Sequence, residues 1–285
     1  MSVRGRFAPS PTGDLHFGNL RTALVAYLWS VSEGGDFIIR MEDLDRVTSS
    51  REIGERQLDD LAAIGIQSNG EVVWQSDRFP IYHNVIDKLA AAGLTYECFC
   101  SRREIREAAA APHGPGTEGN YPGTCRELTE AQRAEKAQSR PAALRLRSDN
   151  SWVTVRDHSH GEYTAQVGDV VLRRNDGVPA YHLAVVVDDA LQRVTQVCRG
   201  EDLLPSTPSH IFLQQLLGYP TPEYLHVSLV MGQDGERLSK RNGAKSLRDY
   251  LNEGVDAARV KEMLVESIGG RFGVEELLRV GTWTI

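Results

Sequence analysis

The fold is decided by a stretch near the N-terminus, Arg6-Phe7-Ala8-Pro9-Ser10-Pro11-Thr12-Gly13-Asp14-Leu15-His16-Phe17-Gly18-Asn19. Residues 5–8 can form an extended strand, and Pro9 and Pro11 fix two φ angles and disfavour helical geometry in the residues before them. From Gly18 onward, apolar residues recur at three- and four-residue spacing until Gly34, which indicates a helix. The stretch therefore predicts a strand, a rigid turn and a helix whose N-terminus points back at the turn.

This predicted helix N-terminus suits an anion. Free backbone N–H groups and the positive end of the helix dipole favour a phosphate there, and the His16 ring can donate a hydrogen bond to the same anion. Taken alone, the motif is equally compatible with an ordinary strand-to-helix junction that carries a surface histidine. A second phosphate-binding motif elsewhere in the chain would favour the nucleotide site.

The composition is that of an ordinary globular protein, with 285 residues of which 41% are hydrophobic and 25% charged. No apolar run approaches a membrane span and no signal peptide pattern is visible, so we expect a cytoplasmic protein with no membrane partner. The formal net charge of −7 argues against non-specific coating of nucleic acid. It remains compatible with a nucleic-acid partner bound at a local basic patch.

The chain continues as a strand–helix–strand unit. Residues 37–42 have the content of a buried strand, and parallel crossovers of this kind bind ligands at the carboxyl ends of their strands, where Glu42 lies. Helices are predicted over 50–64 and over 80–92. In the first of them, the residues expected to face inward are Ile53, Leu58, Leu61, Ala62 and Ile64. A hydrophobic run from Tyr181 to Asp189, a strand over 194–199 and a helix over 206–217 resume the sheet domain.

We predict four segments along the chain. Residues 1–95 form the first half of a Rossmann-like catalytic domain, 96–172 an inserted subdomain with short antiparallel strands, 173–245 the second half of the catalytic domain, and 246–285 a short helical remnant. The Gly- and Pro-rich stretch 112–120 inside the insertion has no apolar period and is predicted to be a loop.

A second basic motif, Arg237-Leu238-Ser239-Lys240-Arg241, follows a predicted strand at 226–231 and a hairpin turn at Asp234-Gly235. Alone, such a run is usually a solvated basic loop. Paired with the N-terminal motif it predicts a second clamp on a polyphosphate, in which Lys240 supplies a point charge.

The chain resembles the catalytic half of the glutamyl-tRNA synthetases, which are class I aminoacyl-tRNA synthetases. The motifs that carry the resemblance keep the family order over almost the whole chain: Pro9-Ser10-Pro11-Thr12-Gly13, His16-Phe17-Gly18-Asn19, Arg40-Met41-Glu42-Asp43-Leu44-Asp45, Tyr181-His182, Cys198-Arg199-Gly200-Glu201-Asp202-Leu203-Leu204 and Arg237-Leu238-Ser239-Lys240-Arg241. The resemblance implies an α/β fold, namely a Rossmann-like parallel sheet domain with an inserted zinc-containing α+β subdomain and a short helical C-terminal remnant.

Two motifs depart from the family pattern. The first usually reads His-Ile-Gly-His, where this chain has Phe17 and Asn19, and the second usually begins Lys-Met, where it has Arg237 and Leu238. The catalytic positions themselves match, since His16, Gly18, Ser239 and Lys240 are retained.

The end of the sequence at Ile285 leaves no room for the helical domains that read the anticodon in a full glutamyl-tRNA synthetase. The chain therefore resembles the truncated paralogue family, the glutamyl-Q tRNA(Asp) synthetases. This resemblance implies a ligase that activates L-glutamate with ATP and Mg²⁺, without needing tRNA for that step. It also implies transfer of glutamate to queuosine at the wobble position of tRNA(Asp), and we expect a monomer.

Residue roles follow from the chemistry together with the family match. Glutamate has two carboxylates and one ammonium, so its pocket needs cationic groups and an acid. The expected groups are: catalytic, His16 and Lys240; glutamate-binding, Arg6, Phe7, Ala8, Pro9, Ser10, Glu42, Tyr181 and Arg199; ATP-binding, His16, Gly18, Asn19, Ser239 and Lys240. Glu42 is assigned to the ammonium, while the order of Arg6 and Arg199 on the two carboxylates stays open, with family precedent favouring Arg6 for the side chain. The alternative for each arginine is a structural ion pair.

The spacing of Cys98 and Cys100 favours metal or thiol chemistry over a disulfide framework. With Cys125, these thiolates need one more donor to close a tetrahedral zinc site, and histidine is a far commoner zinc ligand than a phenolate, which favours His113. The resemblance implies Tyr121 instead, and a single structural zinc ion. Cys198 is expected to be a buried strand residue.

Two other functions remain open on the sequence. One is a glutamate ligase or a synthetase fragment that uses another acceptor. The other is a catalytically inactive regulatory paralogue, against which the retention of His16 and Lys240 argues.

Overall fold

The computed structural model describes residues 2–101, 103–105, 121–230 and 245–268. Its strands are β1 (Arg4–Phe7), β2 (Asp36–Met41), β3 (Val73–Trp74), β4 (Thr95–Cys98), β5 (Ala143–Leu146), β6 (Trp152–Asp157), β7 (Gly161–Gln166), β8 (Val171–Arg173), β9 (Gln196–Gly200) and β10 (Glu223–Val227). Its helices are α1 (Phe17–Ser32), α2 (Arg51–Ala63), α3 (Phe79–Ala91), α4 (Glu130–Ala137), α5 (Tyr181–Leu191), α6 (Thr207–Leu217), α7 (Leu247–Asn252) and α8 (Ala257–Ile268).

The larger sheet has the strand order β3-β2-β1-β9-β10-β6-β7. Every pairing from β3 through to β6 is parallel, and only β7 runs antiparallel to its neighbour β6. The predicted strand–helix–strand crossover is β1–α1–β2, in which Gly5 lies opposite Phe37 in parallel register. The α/β fold class with a parallel sheet is thus confirmed.

A close contact between β1 and α1 fixes this first unit. A Cβ atom at Gly5 would lie 2.8 Å from the Cβ of Ser30, so a larger residue would push the strand and helix apart. The Ser30 hydroxyl accepts a hydrogen bond from the Gly5 N–H at 3.1 Å and donates one to the Asp36 carbonyl at 2.6 Å. One side chain therefore ties together the strand, the helix and the next strand.

Helix α2 turns the predicted face inward except at Ala62, since Leu61 and Ile64 are buried and Ile53 and Leu58 are half-buried. Ala62 is exposed, and the buried residues are Gly54, Gln57, Asp60 and Leu61. The reason is close packing: a Cβ at Gly54 would lie 2.3 Å from the Trp74 ring, so the small residue brings this helix onto β3 and the N-terminal turn. The apolar period does not reveal that Gly54, Gln57 and Asp60 are also buried.

The hydrophobic run from Tyr181 to Asp189 forms α5, a helix in which every residue from Leu183 to Asp189 is buried. After it come β9 and then α6, which ends as predicted at Gly218 with a left-handed φ of 67°. Helices α7 and α8 lie in the predicted helical remnant, and Val260, Leu264 and Ile268 join the core that packs on α1. None of the described helices is both long enough and apolar enough to cross a bilayer.

Strands of the predicted insertion divide between two sheets. β4, β5 and β8 form a separate antiparallel sheet of three strands, and α4 lies on the surface with no buried residue. The hairpin β6–β7 instead extends the larger sheet, because Asp157 pairs with Tyr224 of β10. The boundaries of the four predicted segments stay a prediction.

Candidate active site

The turn between β1 and α1 is held by hydrogen bonds to its carbonyl groups. The Pro9 carbonyl accepts from the Glu42 N–H at 2.9 Å, and the Pro11 carbonyl accepts from the Ser50 N–H at 3.0 Å. Gln57 on α2 donates its amide N–H groups to the carbonyls of Ser10 and Gly13, at 3.2 and 2.6 Å. The predicted rigid turn is therefore tied to the end of β2 and to α2 by hydrogen bonds as well as stiffened by its prolines.

His16 is the N-cap of α1. Its Nδ1 accepts hydrogen bonds from the N–H groups of Gly18 and Asn19, at 3.1 and 3.3 Å, and the Asn19 side chain accepts a hydrogen bond from the His16 N–H. A Cβ at Gly18 would lie 3.1 Å from the His16 ring, so the glycine lets the ring lie against the helix. Since Nδ1 is an acceptor, the proton of the neutral ring lies on Nε2.

This geometry corrects the prediction of free N–H groups at the helix start. The N–H groups of Gly18 and Asn19 are used by His16, and the Phe17 N–H donates to the Lys245 carbonyl at 2.9 Å. A phosphate near α1 would therefore meet the helix dipole and the imidazole rather than the backbone N–H groups expected there.

One cavity of about 650 Å³ brings the predicted residues together. Its lining includes Arg6, Phe7, Ala8, Pro9, Ser10, His16, Gly18, Asn19, Glu42, Tyr181 and Arg199, which are all the predicted glutamate- and ATP-binding residues that the structure describes. Ser239, Lys240 and the hairpin turn at 234–235 lie outside the described residues. The cavity opens at the carboxyl ends of β1, β2 and β9, where a parallel sheet binds its ligands.

Beneath the cavity, Asp189 joins two arginines from neighbouring strands. Its Oδ1 accepts from Arg40 at 2.8 Å and from Arg6 at 3.4 Å, and all three side chains are buried. Burial alone would raise the pKa of Asp189, but the two guanidinium groups outweigh it and lower that pKa. Arg6 also donates to the Cys198 carbonyl at 3.0 Å, so its guanidinium is held against the cavity wall.

Glu42 is the acid of the site. Its side chain is 9% exposed and its carboxylate lies 3.4 Å from Arg40. Burial raises the pKa of Glu42 to about 7, because the loss of solvation outweighs the attraction of Arg40 and Arg6. The carboxyl therefore changes charge near neutral pH.

Arg199 lies in the cavity wall with its hydrogen-bond donors engaged by protein groups. Nε donates to His226 Nε2 at 3.1 Å, and one terminal nitrogen reaches His210 Nδ1 at 3.2 Å and the Tyr181 hydroxyl at 3.4 Å. The other terminal nitrogen donates to the Thr207 hydroxyl at 2.7 Å and the Leu203 carbonyl at 3.3 Å. A substrate carboxylate would have to share these donors.

Sequence reasoning missed the residues that support the cavity. Asp189, His210, Thr207 and His226 carry no predicted role, yet each contacts a predicted site arginine. A charged pair at 188–189 inside an otherwise apolar helix was the available signal, because buried carboxylates need cationic partners.

The three predicted cysteine ligands form a cluster in which their sulfur atoms all lie within 4.8 Å of one another. Cys98 and Cys125 are buried, and Cys100 is half-buried. The Tyr121 hydroxyl is 3.9 Å from Cys100 Sγ and accepts a hydrogen bond from the Cys125 N–H at 2.7 Å. The cluster could hold a metal ion; His113 lies outside the described residues.

Comparison with known proteins relates this chain to a family of synthetases. A family profile described as "tRNA synthetases class I (E and Q), catalytic domain" matches residues 2–276. A curated protein named glutamyl-Q tRNA(Asp) synthetase from Nocardia farcinica is 56% identical over 266 residues, which cover 93% of this chain and 84% of that protein. A glutamate–tRNA ligase from Aquifex aeolicus is 41% identical over 88% of this chain.

The chain is also similar to a solved structure of a glutamate tRNA ligase. The crystal structure of a glutamate tRNA ligase from Elizabethkingia meningosepticum, in complex with its amino acid, superposes with a TM-score of 0.73 at 32% identity over 85% of this chain. This chain spans about half the length of these ligases, 53% of the crystallised one and 54% of that from Aquifex aeolicus.

The buried ion cluster makes a testable prediction about stability. Asp189→Asn should lower the free energy of unfolding by about 3–5 kcal/mol, because Arg6 and Arg40 would lose the carboxylate that they share. Urea denaturation followed by circular dichroism measures the change. The matched control is Asp36→Asn, whose ion pair with Arg4 at 2.9 Å leaves the Asp36 side chain 49% exposed. This control should change stability by no more than about 1 kcal/mol, and equal losses in the two variants would contradict the prediction.

Proposed function

This chain belongs to the class I tRNA synthetases (E and Q), and from that premise we propose that it activates L-glutamate with ATP and transfers it to queuosine at the wobble position of tRNA(Asp). The observation that carries the proposal is the cavity that holds Arg6, Glu42, Tyr181 and Arg199 beside His16. The relatives named glutamyl-Q tRNA(Asp) synthetase support the choice of acceptor, at identities up to 56%.

The cavity offers a complementary group for each charge of glutamate. The guanidinium groups of Arg6 and Arg199 and the Tyr181 hydroxyl suit the two carboxylates, and Glu42 suits the ammonium. Burial raises the pKa of Tyr181, so its hydroxyl keeps the proton that it would donate to a carboxylate. Phe7, Ala8, Pro9 and Ser10 supply the wall of the turn on the same side.

In the proposed reaction, an oxygen of the α-carboxylate attacks the α-phosphorus of ATP. The new oxygen–phosphorus bond replaces the bond to the leaving pyrophosphate, so the protein supplies alignment and charge rather than a nucleophile. His16 stabilises charge through its Nε2–H, while Gly18 and Asn19 keep its ring in place. Ser239 and Lys240 are assigned to the phosphates by their motif, and Mg²⁺ bound to ATP would neutralise phosphate charge. An acceptor hydroxyl on queuosine then displaces AMP.

The cysteine cluster is proposed to hold a single structural zinc ion. Three sulfur donors suit zinc, and the Tyr121 hydroxyl stands next to them as the fourth ligand. Although burial opposes ionisation, hydrogen bonds from Tyr121 and Arg145 lower the pKa of Cys98, whereas burial raises the pKa of Cys100 to about 12. Zinc binding would therefore have to displace the Cys100 proton. Four protein ligands would leave no open coordination position on the ion. The ion would therefore stabilise the loop that follows β4 without taking part in the reaction.

The proposed function predicts two separate activities. Glutamate-dependent exchange of pyrophosphate into ATP should proceed without tRNA, and its absence would refute self-sufficient activation. Labelled glutamate should then attach to tRNA(Asp) that contains queuosine and not to the same tRNA lacking it. Equal labelling of the two tRNAs would instead indicate a glutamate ligase that uses a different acceptor.

Glu42 predicts how glutamate binding depends on pH. With a pKa of about 7, the fraction of ionised Glu42 rises through neutrality, so the KM for glutamate in the exchange reaction should fall about tenfold from pH 6 to pH 8. The KM for ATP serves as an internal control and should not follow the same curve. In Glu42→Gln the KM for glutamate should be higher and this pH dependence should vanish. An unchanged slope in that variant would assign the titration to another group.

Metal analysis tests the zinc site. Cys98→Ser should lose most of the bound zinc, and Cys198→Ala, which changes a cysteine buried in β9, is the matched control that should keep it. Tyr121→Phe should also lower the zinc content. Full retention in Tyr121→Phe together with loss in His113→Ala would make His113 the fourth ligand.

A further inference from the structure

A chain of buried hydrogen bonds leads from the wall of the cavity to the hairpin β6–β7. Arg199 Nε donates to His226 Nε2 at 3.1 Å, and His226 Nδ1 lies 2.6 Å from Asp157 Oδ2. The side chains of His226 and Asp157 are both fully buried. Asp157 is the last residue of β6, whereas His226 and Arg199 lie on the neighbouring strands β10 and β9.

The direction of donation in this chain is determined by Arg199. A guanidinium N–H can only donate, so His226 Nε2 must be an acceptor and the ring proton must lie on Nδ1. That proton is then donated to Asp157, in the same arrangement by which a buried carboxylate selects a histidine tautomer in a catalytic triad. Burial lowers the pKa of His226 and outweighs the opposing effect of Asp157, so the ring stays neutral.

Asp157 is held in place as an acceptor. Its Oδ2 also accepts from the His226 N–H at 3.0 Å, and its Oδ1 accepts from the N–H groups of Ser159 and His160, each at 3.0 Å. Although burial opposes ionisation, the hydrogen bond from the His226 ring and those from the N–H groups of Ser159 and His160 lower the pKa of Asp157 to about 2. The carboxylate is therefore ionised at any pH at which the enzyme would work.

Arg199 also contacts other side chains at the proposed glutamate pocket. One of its terminal nitrogens donates to the Tyr181 hydroxyl at 3.4 Å, so the hydroxyl oxygen is an acceptor there and its own proton points elsewhere. The same nitrogen donates to His210 Nδ1 at 3.2 Å, which leaves the His210 proton on Nε2, 3.0 Å from His182 Nδ1. Arg199 and Tyr181 both line the cavity.

We propose that Asp157 is a positioning residue for glutamate: by selecting the His226 tautomer it orients Arg199 and, through it, the Tyr181 hydroxyl. The inference rests on the proposed function for the identity of the ligand. Asp157 lies outside the cavity, and it acts on glutamate through the side chains of His226 and Arg199.

Asp157→Asn keeps the size of the side chain and changes its hydrogen-bonding pattern. If the amide nitrogen of the substituted side chain faces His226 Nδ1, the ring is driven to the tautomer with its proton on Nε2, which opposes the Arg199 Nε–H. Arg199 must then move. We expect the KM for glutamate to rise about 10- to 100-fold, the range for a lost hydrogen bond to a charged group, with the KM for ATP unchanged.

Asp169→Asn is the matched control. Asp169 is also a buried carboxylate in the predicted insertion, and it accepts from Arg126 at 2.8 Å and from the Ser148 N–H and hydroxyl at 3.0 and 2.8 Å. Its partners do not line the cavity. The substitution should therefore cost stability without changing the KM for glutamate. Equal increases in the two variants, or a parallel rise in the KM for ATP after Asp157→Asn, would overturn the proposal.

A spectroscopic readout tests the tautomer directly in the unaltered protein. The ¹⁵N chemical shifts of the His226 ring should show an unprotonated Nε2 and a protonated Nδ1, and a protonated Nε2 would overturn the proposal even if Asp157→Asn does not fold. If the unaltered enzyme showed no glutamate-dependent exchange, the proposed function would fail while these shifts still decided the tautomer. Calorimetric titration with glutamate would then replace the KM as the measure of Asp157→Asn.

Discussion

The site depends on one buried carboxylate shared by two arginines. Asp189, near the end of α5, bonds to Arg6 on β1 and Arg40 on β2, and neither arginine side chain is more than 5% exposed. Buried guanidinium groups are costly unless they are paired, so α5 must present this acid to the sheet for the strands to carry their charges. The same two arginines lie beside Glu42, where burial outweighs their attraction and raises the pKa of the carboxyl to about 7. A ligand with both carboxylate and ammonium groups would therefore bind among charged side chains that are already held in place.

The N-terminal unit could be predicted because its signals are local. Two prolines stiffen the turn, apolar spacing marks α1, and β2 follows as a buried strand, all within about 40 residues. The α5 segment lacks such a signal, because a helix buried on nearly every side has the continuous apolar run of a buried strand. The apolar part of the inward face of α2 could be predicted, but Gly54 and Gln57 could not, since they pack inward without being apolar.

The chemical types at the site could also be predicted, but their hydrogen-bonding states could not. The charges of a glutamate ligand and the family motifs together predict four pocket residues, and the fold does bring them to one cavity: Arg6, Glu42, Tyr181 and Arg199. Whether a donor is available depends on partners far away in the chain. His16 uses the N–H groups at its own helix start, and Arg199 has acceptors as distant as His226. Which donors are already used depends on the geometry of the side chains, and motif spacing does not encode that geometry.

The hairpin β6–β7 shows how such distant partners are arranged. Its composition resembles that of the other short strands of the insertion, yet it extends the larger sheet beside β10. The residue at that junction is Asp157, which pairs with Tyr224 through the backbone and holds His226 through its side chain. The register of β6 is fixed by two kinds of contact: Val153 and Val155 are buried in the core, and the Asp157 side chain meets the His226 ring at the end of the strand. The contact between Asp157 and His226 therefore also helps to hold the hairpin on the larger sheet.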